Sequence, residues 1–258
     1  MADLAVGGGT LHVQRLGAAP RVAVFVHGLV MDNLSSFYFT LAAPAAVHRT
    51  VVLYDLRGHG RSHRPPTGYA VADFVAELAA LVDLVAPDAA VDVIGNSFGG
   101  LVALAFAVAH PARVASLVLI DAHDGTAGWS AQMAATLGLE GSARDAQIAT
   151  SFQAWLGRNS ERKRSRLASQ ARALVEATTL IADLAGSPPL TDAALATITA
   201  PTLALYGEHS DVRDRGEALA RLLPAATLEV VPGCTHSILW EATALVRDRV
   251  TAWLEPRP

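Results

Sequence analysis

Residues Ile94-Gly95-Asn96-Ser97-Phe98-Gly99 hold the one side chain in this chain that its setting alone marks as a nucleophile. A β-rich run, Val91-Asp92-Val93-Ile94, leads into Gly95-Asn96-Ser97-Phe98-Gly99, and an apolar helical run, Leu101 to Ala109, follows at once. G-x-S-x-G between a strand and a helix is the context in which the pattern forms a nucleophile elbow. The turn is so sharp that the serine backbone is strained and its neighbours must be small, which Gly95, Gly99 and Gly100 satisfy. The hydroxyl then stands exposed at a helix N-terminus, where partial positive charge favours a developing anion. An alcohol is a poor nucleophile at neutral pH, so Ser97 requires a base. His236, in the loop after the last strand-like run, is the best candidate. His59 and His63 sit in an Arg- and Gly-rich turn, and His110 precedes Pro111 at a helix end.

The elements that must position these groups alternate along the chain. Strand-like runs occur at Leu11–Arg15, Val22–Val26, Val51–Tyr54, Val91–Ile94, Ser116–Ile120, Thr202–Tyr206 and Thr227–Val231. Most are continuously apolar, as strands covered on both faces are. Helical segments lie between them, at Ala70–Val85, Phe98–His110 and Arg213–Leu222. The last segment, Ile238 to Leu254, places Ile238, Ala242, Leu245, Val246, Val250 and Trp253 on one face. The alternation predicts a mostly parallel sheet with right-handed crossovers. Residues 125–191 lose the strand signal and read as a helical cap inserted into a core of 1–124 and 192–258. The basic cluster Arg158 to Arg166 inside the cap reads as a solvated helix face.

Four landmarks in order resemble the α/β-hydrolase superfamily: His27-Gly28 closing a strand, Asp55-Leu56-Arg57-Gly58-His59-Gly60-Arg61-Ser62 after the next, the elbow at Ser97, and Pro232-Gly233-Cys234-Thr235-His236 after the final strand. The resemblance covers most of the chain outside the cap. It implies an eight-stranded, mostly parallel sheet flanked by helices. It also implies a Ser–acid–His triad and an oxyanion hole formed by the backbone N–H groups of Leu29 and Phe98. It makes His27 a brace for the oxyanion loop, and Asp55, Arg57 and Gly58 the locks of a turn. Asp32 and Asn33 lie close enough to that loop to line a pocket, or to cap a helix.

The acid departs from the pattern. Relatives read Gly, two residues, then Asp after the penultimate strand. Here Gly207 is followed by Glu208, His209 and then Ser210, with Asp211 one residue later. Asp211 is favoured as the triad acid, and Asp121, at the end of Ser116–Ile120, is the rival. Asp124 and Glu208 are outsiders. Cys234 reads as a small buried hydrophobe. From the cap, Trp129, Met133, Phe152 and Trp155 could roof the site or pack on the core.

A serine at the elbow argues against the chemistries for which the family uses an aspartate there. No G-x-G-x-x-G, P-loop or metal-ligand spacing is present, so neither cofactor nor metal is expected. The 258 residues are 52% hydrophobic, enough for one large domain, and no stretch approaches the roughly 18–20 apolar residues of a membrane span. A net charge of −4 argues against nucleic-acid or membrane-surface partners, and a single cysteine with no leader-like N-terminus suggests a cytoplasmic protein. The partner expected is a small-molecule substrate; oligomeric state is open. The reading is a cofactor-independent serine hydrolase of a small ester, lactone or thioester. The alternatives are a carbon–carbon bond hydrolase of a diketone-like substrate and a non-hydrolytic biosynthetic or binding member of the fold.

Overall fold

The computed structural model describes residues 2–6, 8–140, 143 and 161–255. Eight strands form one sheet: β1 (Ala2–Val6), β2 (Gly9–Leu16), β3 (Val22–Val26), β4 (Thr50–Tyr54), β5 (Val91–Asn96), β6 (Val114–Ile120), β7 (Thr202–Gly207) and β8 (Ala226–Val231). Their spatial order is β1-β2-β4-β3-β5-β6-β7-β8. β1, β2 and β4 pair antiparallel, and every pair from β4 to β8 is parallel. The seven strand-like runs of the sequence all lie in this sheet. β1 escapes a reading by hydrophobic runs because it is a half-exposed edge strand, Ala-Asp-Leu-Ala-Val, with one buried residue.

The continuous apolar strands arise because each face of the sheet has its own core. Along β3, Val22, Val24 and Val26 belong to one hydrophobic cluster, and Ala23 and Phe25 to the other. Successive side chains of a strand point to opposite faces, so a strand buried on both sides has no polar alternate positions. Four longer helices cover the faces: α1 (Val71–Val85), α2 (Phe98–Ala109), α3 (Arg213–Leu222) and α4 (Thr243–Leu254). α2 follows the elbow and is buried from Phe98 to Ala107, which explains why its sequence is apolar all round. The expected helix 238–254 breaks at Ala242 into Ile238–Glu241 and α4. The short first piece grips the loop that carries His236. Its Glu241 carboxylate accepts the Thr235 N–H at 2.7 Å and the Thr235 hydroxyl at 2.9 Å.

Between β6 and β7 the described residues are helical, with helices at Trp129–Leu137, Glu161–Ala177 and Leu180–Ala185 and no strand. Phe152 and Trp155 lie outside the described residues. No helix among the described residues is long and apolar enough to cross a membrane.

Candidate active site

β5 enters the elbow and α2 leaves it, with Ser97 between them at φ 53°, ψ −119°. This is a left-handed backbone that a residue with a Cβ adopts only when its surroundings enforce it. Close approach explains the flanking glycines. A Cβ on Gly99 would stand 2.0 Å from the Val26 carbonyl oxygen, and one on Gly95 would stand 2.4 Å from that of Gly99. The Ser97 N–H donates to the Ile120 carbonyl at 3.0 Å, fixing the elbow to the end of β6.

The Ser97 Oγ lies 2.9 Å from His236 Nε2. On the other side of the ring, Nδ1 lies 3.1 Å from Asp121 Oδ1 and 3.8 Å from Asp211 Oδ1. The geometry departs from the preference for Asp211: the imidazole Nδ1–H donates to Asp121, the rival acid, and Asp211 lies beyond hydrogen-bond reach. Asp211 has a 75% exposed side chain, whereas that of Asp121 is fully buried. Asp121 turns out of β6 at φ 45°, with its N–H held by the Leu205 carbonyl at 2.7 Å. Its Oδ2 accepts the Gly207 N–H at 2.8 Å, and its Oδ1 accepts the hydroxyl of Ser210. Ser210 fills the slot in which an acid was expected, and from there it orients a carboxylate supplied by the neighbouring strand. Burial tends to lower the His236 pKa. The hydrogen bond and charge of Asp121, with a smaller contribution from Asp211, outweigh it, so the net shift is upward. The Ser–His–Asp chain can deprotonate an alcohol and hold the resulting imidazolium.

Leu29 and Phe98 line the same cavity as Ser97. The Phe98 N–H belongs to the first turn of α2, where helix N–H groups have no intrahelical acceptor. Leu29 sits on a loop braced from behind by two histidines. His27 donates from Nδ1 to the Gly28 carbonyl at 2.7 Å and accepts the Leu56 N–H on Nε2 at 2.9 Å. His59 donates to the Arg57 carbonyl at 2.8 Å and accepts the N–H of Val30, a residue at φ 65°, at 2.7 Å. The two rings meet edge to face at 5.2 Å. Each must stay neutral to accept, and burial pulls the His27 pKa down to about 4 and that of His59 to about 3. Asp55 joins this frame by accepting the N–H groups of Leu34 and Arg61, and Arg57 pairs with the buried Glu77 at 3.0 Å.

Asp32 is the second departure. It does not line the cavity. Its Oδ2 accepts the Gly28 N–H at 2.8 Å, and its Oδ1 takes the Asn33 N–H and the Ser36 hydroxyl. Burial raises its pKa against these bonds. It shapes the loop from within. Trp129 and Met133 do line the cavity, and Trp155 lies outside the described residues.

The cavity measures about 930 Å³. Its walls include residues that sequence reasoning missed, His123 and Val212 among them, and Asp124, which was set aside as an outsider. Their one legible signal was proximity in sequence to the ends of β6 and β7. No group of three or more His, Cys, Asp or Glu among the described residues could hold a metal.

The fold and the elbow define a class, and comparison with known proteins agrees: the family model described as "alpha/beta hydrolase fold" matches residues 22–243, and the chain belongs to that family. Among curated relatives it is similar to the 2-hydroxy-6-oxo-2,4-heptadienoate hydrolase of Pseudomonas putida, with 39% identity over 119 residues, covering 45% of this chain and 39% of that one. The matches with the first curated relatives span about two fifths of those proteins' length. Among solved structures it is similar in fold to a hydrolase from Pseudomonas aeruginosa (TM-score 0.80, 24% identity, covering 99% and 98% of the two chains). It is likewise similar to the enol-lactonase of Burkholderia xenovorans (TM-score 0.75, 22% identity, covering 98% and 99%).

Proposed function

We propose that this chain is a cofactor-independent serine hydrolase. The observation that carries the reading is the unbroken chain Ser97 Oγ–His236–Asp121, at 2.9 and 3.1 Å, on the wall of a large cavity. In this reading His236 takes the Ser97 proton as Oγ attacks a carbonyl carbon. The oxyanion meets the N–H groups of Leu29 and Phe98, and the leaving group departs with the proton from His236. Water, deprotonated by His236, then attacks the acyl-enzyme and frees Ser97. Asp121 holds the proton of His236 on Nδ1 throughout and stabilises the imidazolium. The substrate is a small ester, lactone or thioester, and the described helices Trp129–Leu137 and Glu161–Ala177 cap its site. The test is labelling with a fluorophosphonate: a single adduct on Ser97, absent from Ser97→Ala, is expected, and folded protein that takes no adduct refutes the reading.

The similarity to a 2-hydroxy-6-oxo-2,4-heptadienoate hydrolase favours one second reading, carbon–carbon bond hydrolysis on the same triad. A vinylogous diketone turned over faster than any simple ester would select it.

A further inference from the structure

The loop leaving β6 carries more polar chemistry than its acid. After Asp121 come His123 and Asp124, and both line the cavity shared by Ser97 and His236. The His123 N–H donates to the Ser97 carbonyl at 3.2 Å, which pins this loop to the elbow. Its ring centroid stands 5.3 Å from that of His236 and 5.7 Å from that of Trp129. Neither ring nitrogen of His123 is hydrogen bonded to another described residue. Asp124 is only 6% exposed. Its Oδ1 accepts the Thr126 N–H at 3.2 Å and the Thr126 hydroxyl at 2.9 Å, and among the described residues its Oδ2 has no partner. Oδ2 is not among the sealed, unpartnered polar atoms of the described residues, so it opens to the cavity, where a donor can complete it. Burial, helped by the charge of His236, pulls the His123 pKa down to about 3. The ring is therefore a neutral imidazole with one donor and one acceptor, and it adds no charge to oppose the imidazolium formed on His236.

We propose that His123 and Asp124 form a polar recognition site beside the nucleophile, and that the substrate carries a hydrogen-bond donor near its scissile carbonyl, an amide N–H or a hydroxyl, which Asp124 accepts. His123 offers its N–H to a polar atom next to that donor. The proposal rests on the serine-hydrolase reading and narrows it, from small acyl compounds in general to those with a donor on the acyl side. The cavity wall mixes apolar residues such as Leu29, Phe98, Trp129 and Met133 with polar ones such as Gln132 and Arg172, and among its polar groups Asp124 is the deeply buried carboxylate on the loop tied to the Ser97 carbonyl, where it can discriminate. A site built around a substrate N–H or O–H rejects analogues that lack it, because its own buried group is then left unpaired.

The test compares two chromogenic esters of one shape, p-nitrophenyl N-acetylglycinate and p-nitrophenyl 4-oxopentanoate, in which a methylene replaces the N–H. The wild-type chain is expected to favour the first by about 10²-fold or more in kcat/KM. Asp124→Ala is expected to bring the ratio within about threefold, Asp124→Asn to retain part of it through the amide oxygen, and His123→Phe to lower it. A wild-type ratio near one, or a ratio unchanged in Asp124→Ala and Asp124→Asn alike, overturns the proposal. Equilibrium binding of the two methyl esters to Ser97→Ala reads the same preference without turnover. Absence of fluorophosphonate labelling therefore sinks the hydrolase reading and this proposal with it, whereas labelling with no preference for the N–H ester sinks only this proposal.

Discussion

Replacing Asp121 by Asn tests the assignment of the acid most directly. The carboxylate accepts from His236 Nδ1 at 3.1 Å and keeps the other ring nitrogen, Nε2, bare toward Ser97 Oγ at 2.9 Å. An Asn amide that donates to Nδ1 forces the proton onto Nε2, and the imidazole can no longer accept from the serine. Loss of the correct tautomer and of the imidazolium's partner together cost about 10⁴-fold in kcat in a Ser–His–Asp triad. Asp211 is three-quarters exposed and stands 3.8 Å from Nδ1. An exposed pair is worth at most about 1 kcal/mol, so Asp211→Asn should cost no more than about fivefold. The assay is kcat and kcat/KM for a p-nitrophenyl ester across pH, with unfolding midpoints to show that the variants fold. The pH profile adds a second readout. His236 must be neutral to act as base and its pKa is raised, so the acid limb of the wild-type profile should lie above the ordinary histidine value of 6.5. Asp121→Asn removes the main raising influences, so the limb should move to lower pH. A near-normal rate in Asp121→Asn beside a collapsed rate in Asp211→Asn would refute the reasoning and return the acid to the loop after β7.

Ser97→Ala should lower kcat by about 10⁶-fold, as loss of a triad nucleophile does, and residual turnover within a hundredfold of wild type would exclude a covalent route through this residue. Ser210→Ala removes a donor to Asp121 Oδ1 and should lower kcat by about ten- to a hundredfold, the range of one hydrogen bond to a charged group. An unchanged rate would make Ser210 a spectator. Gly99→Ala drives a Cβ to 2.0 Å from the Val26 carbonyl, a backbone atom that cannot step aside. A loss of about 3 kcal/mol or more is expected in denaturant unfolding, and a wild-type midpoint would contradict the packing. The depressed pKa values of His27 and His59, about 4 and 3, make stability pH-dependent. Below the ordinary value of 6.5 the unfolded chain takes up protons that the folded chain refuses. Stability should therefore fall with decreasing pH by up to about 1.4 kcal/mol per unit per histidine. Guanidinium midpoints at pH 7 and pH 5 measure this, and a midpoint that rises on acidification would reverse the sign.

What the sequence determined is what is local. Gly95-Asn96-Ser97-Phe98-Gly99 announces itself because a strand, a turn and a helix in direct succession leave little choice of geometry, and the glycines are required within that same stretch. The strands were legible because a sheet covered on both faces demands unbroken apolar runs. β1 was not, since an edge strand with one buried residue makes no such demand. His236 was legible from its place after the last strand. The acid was not, because Asp121 and Asp211 both follow parallel strands that neighbour each other, and the choice between them depends on depth. β7 stops at Gly207 with the His236 loop close above it; a Cβ there would stand 2.4 Å from the Thr235 carbonyl oxygen. Below that loop Asp121 is sealed in and tied to Gly207 and Ser210, while Asp211 is left in solvent. Asp32 looked free to line a pocket until the fold turned its carboxylate back onto Gly28, and His123 and Asp124 became cavity residues only when the loop after β6 was drawn down onto the Ser97 carbonyl. Residue types and order singled out Ser97 and His236 as candidates, and the fold brings Ser97 Oγ to 2.9 Å from His236 Nε2. Which carboxylate serves them, and which polar groups face the substrate, follows from burial and from contacts between segments far apart in the chain, which only tertiary packing creates.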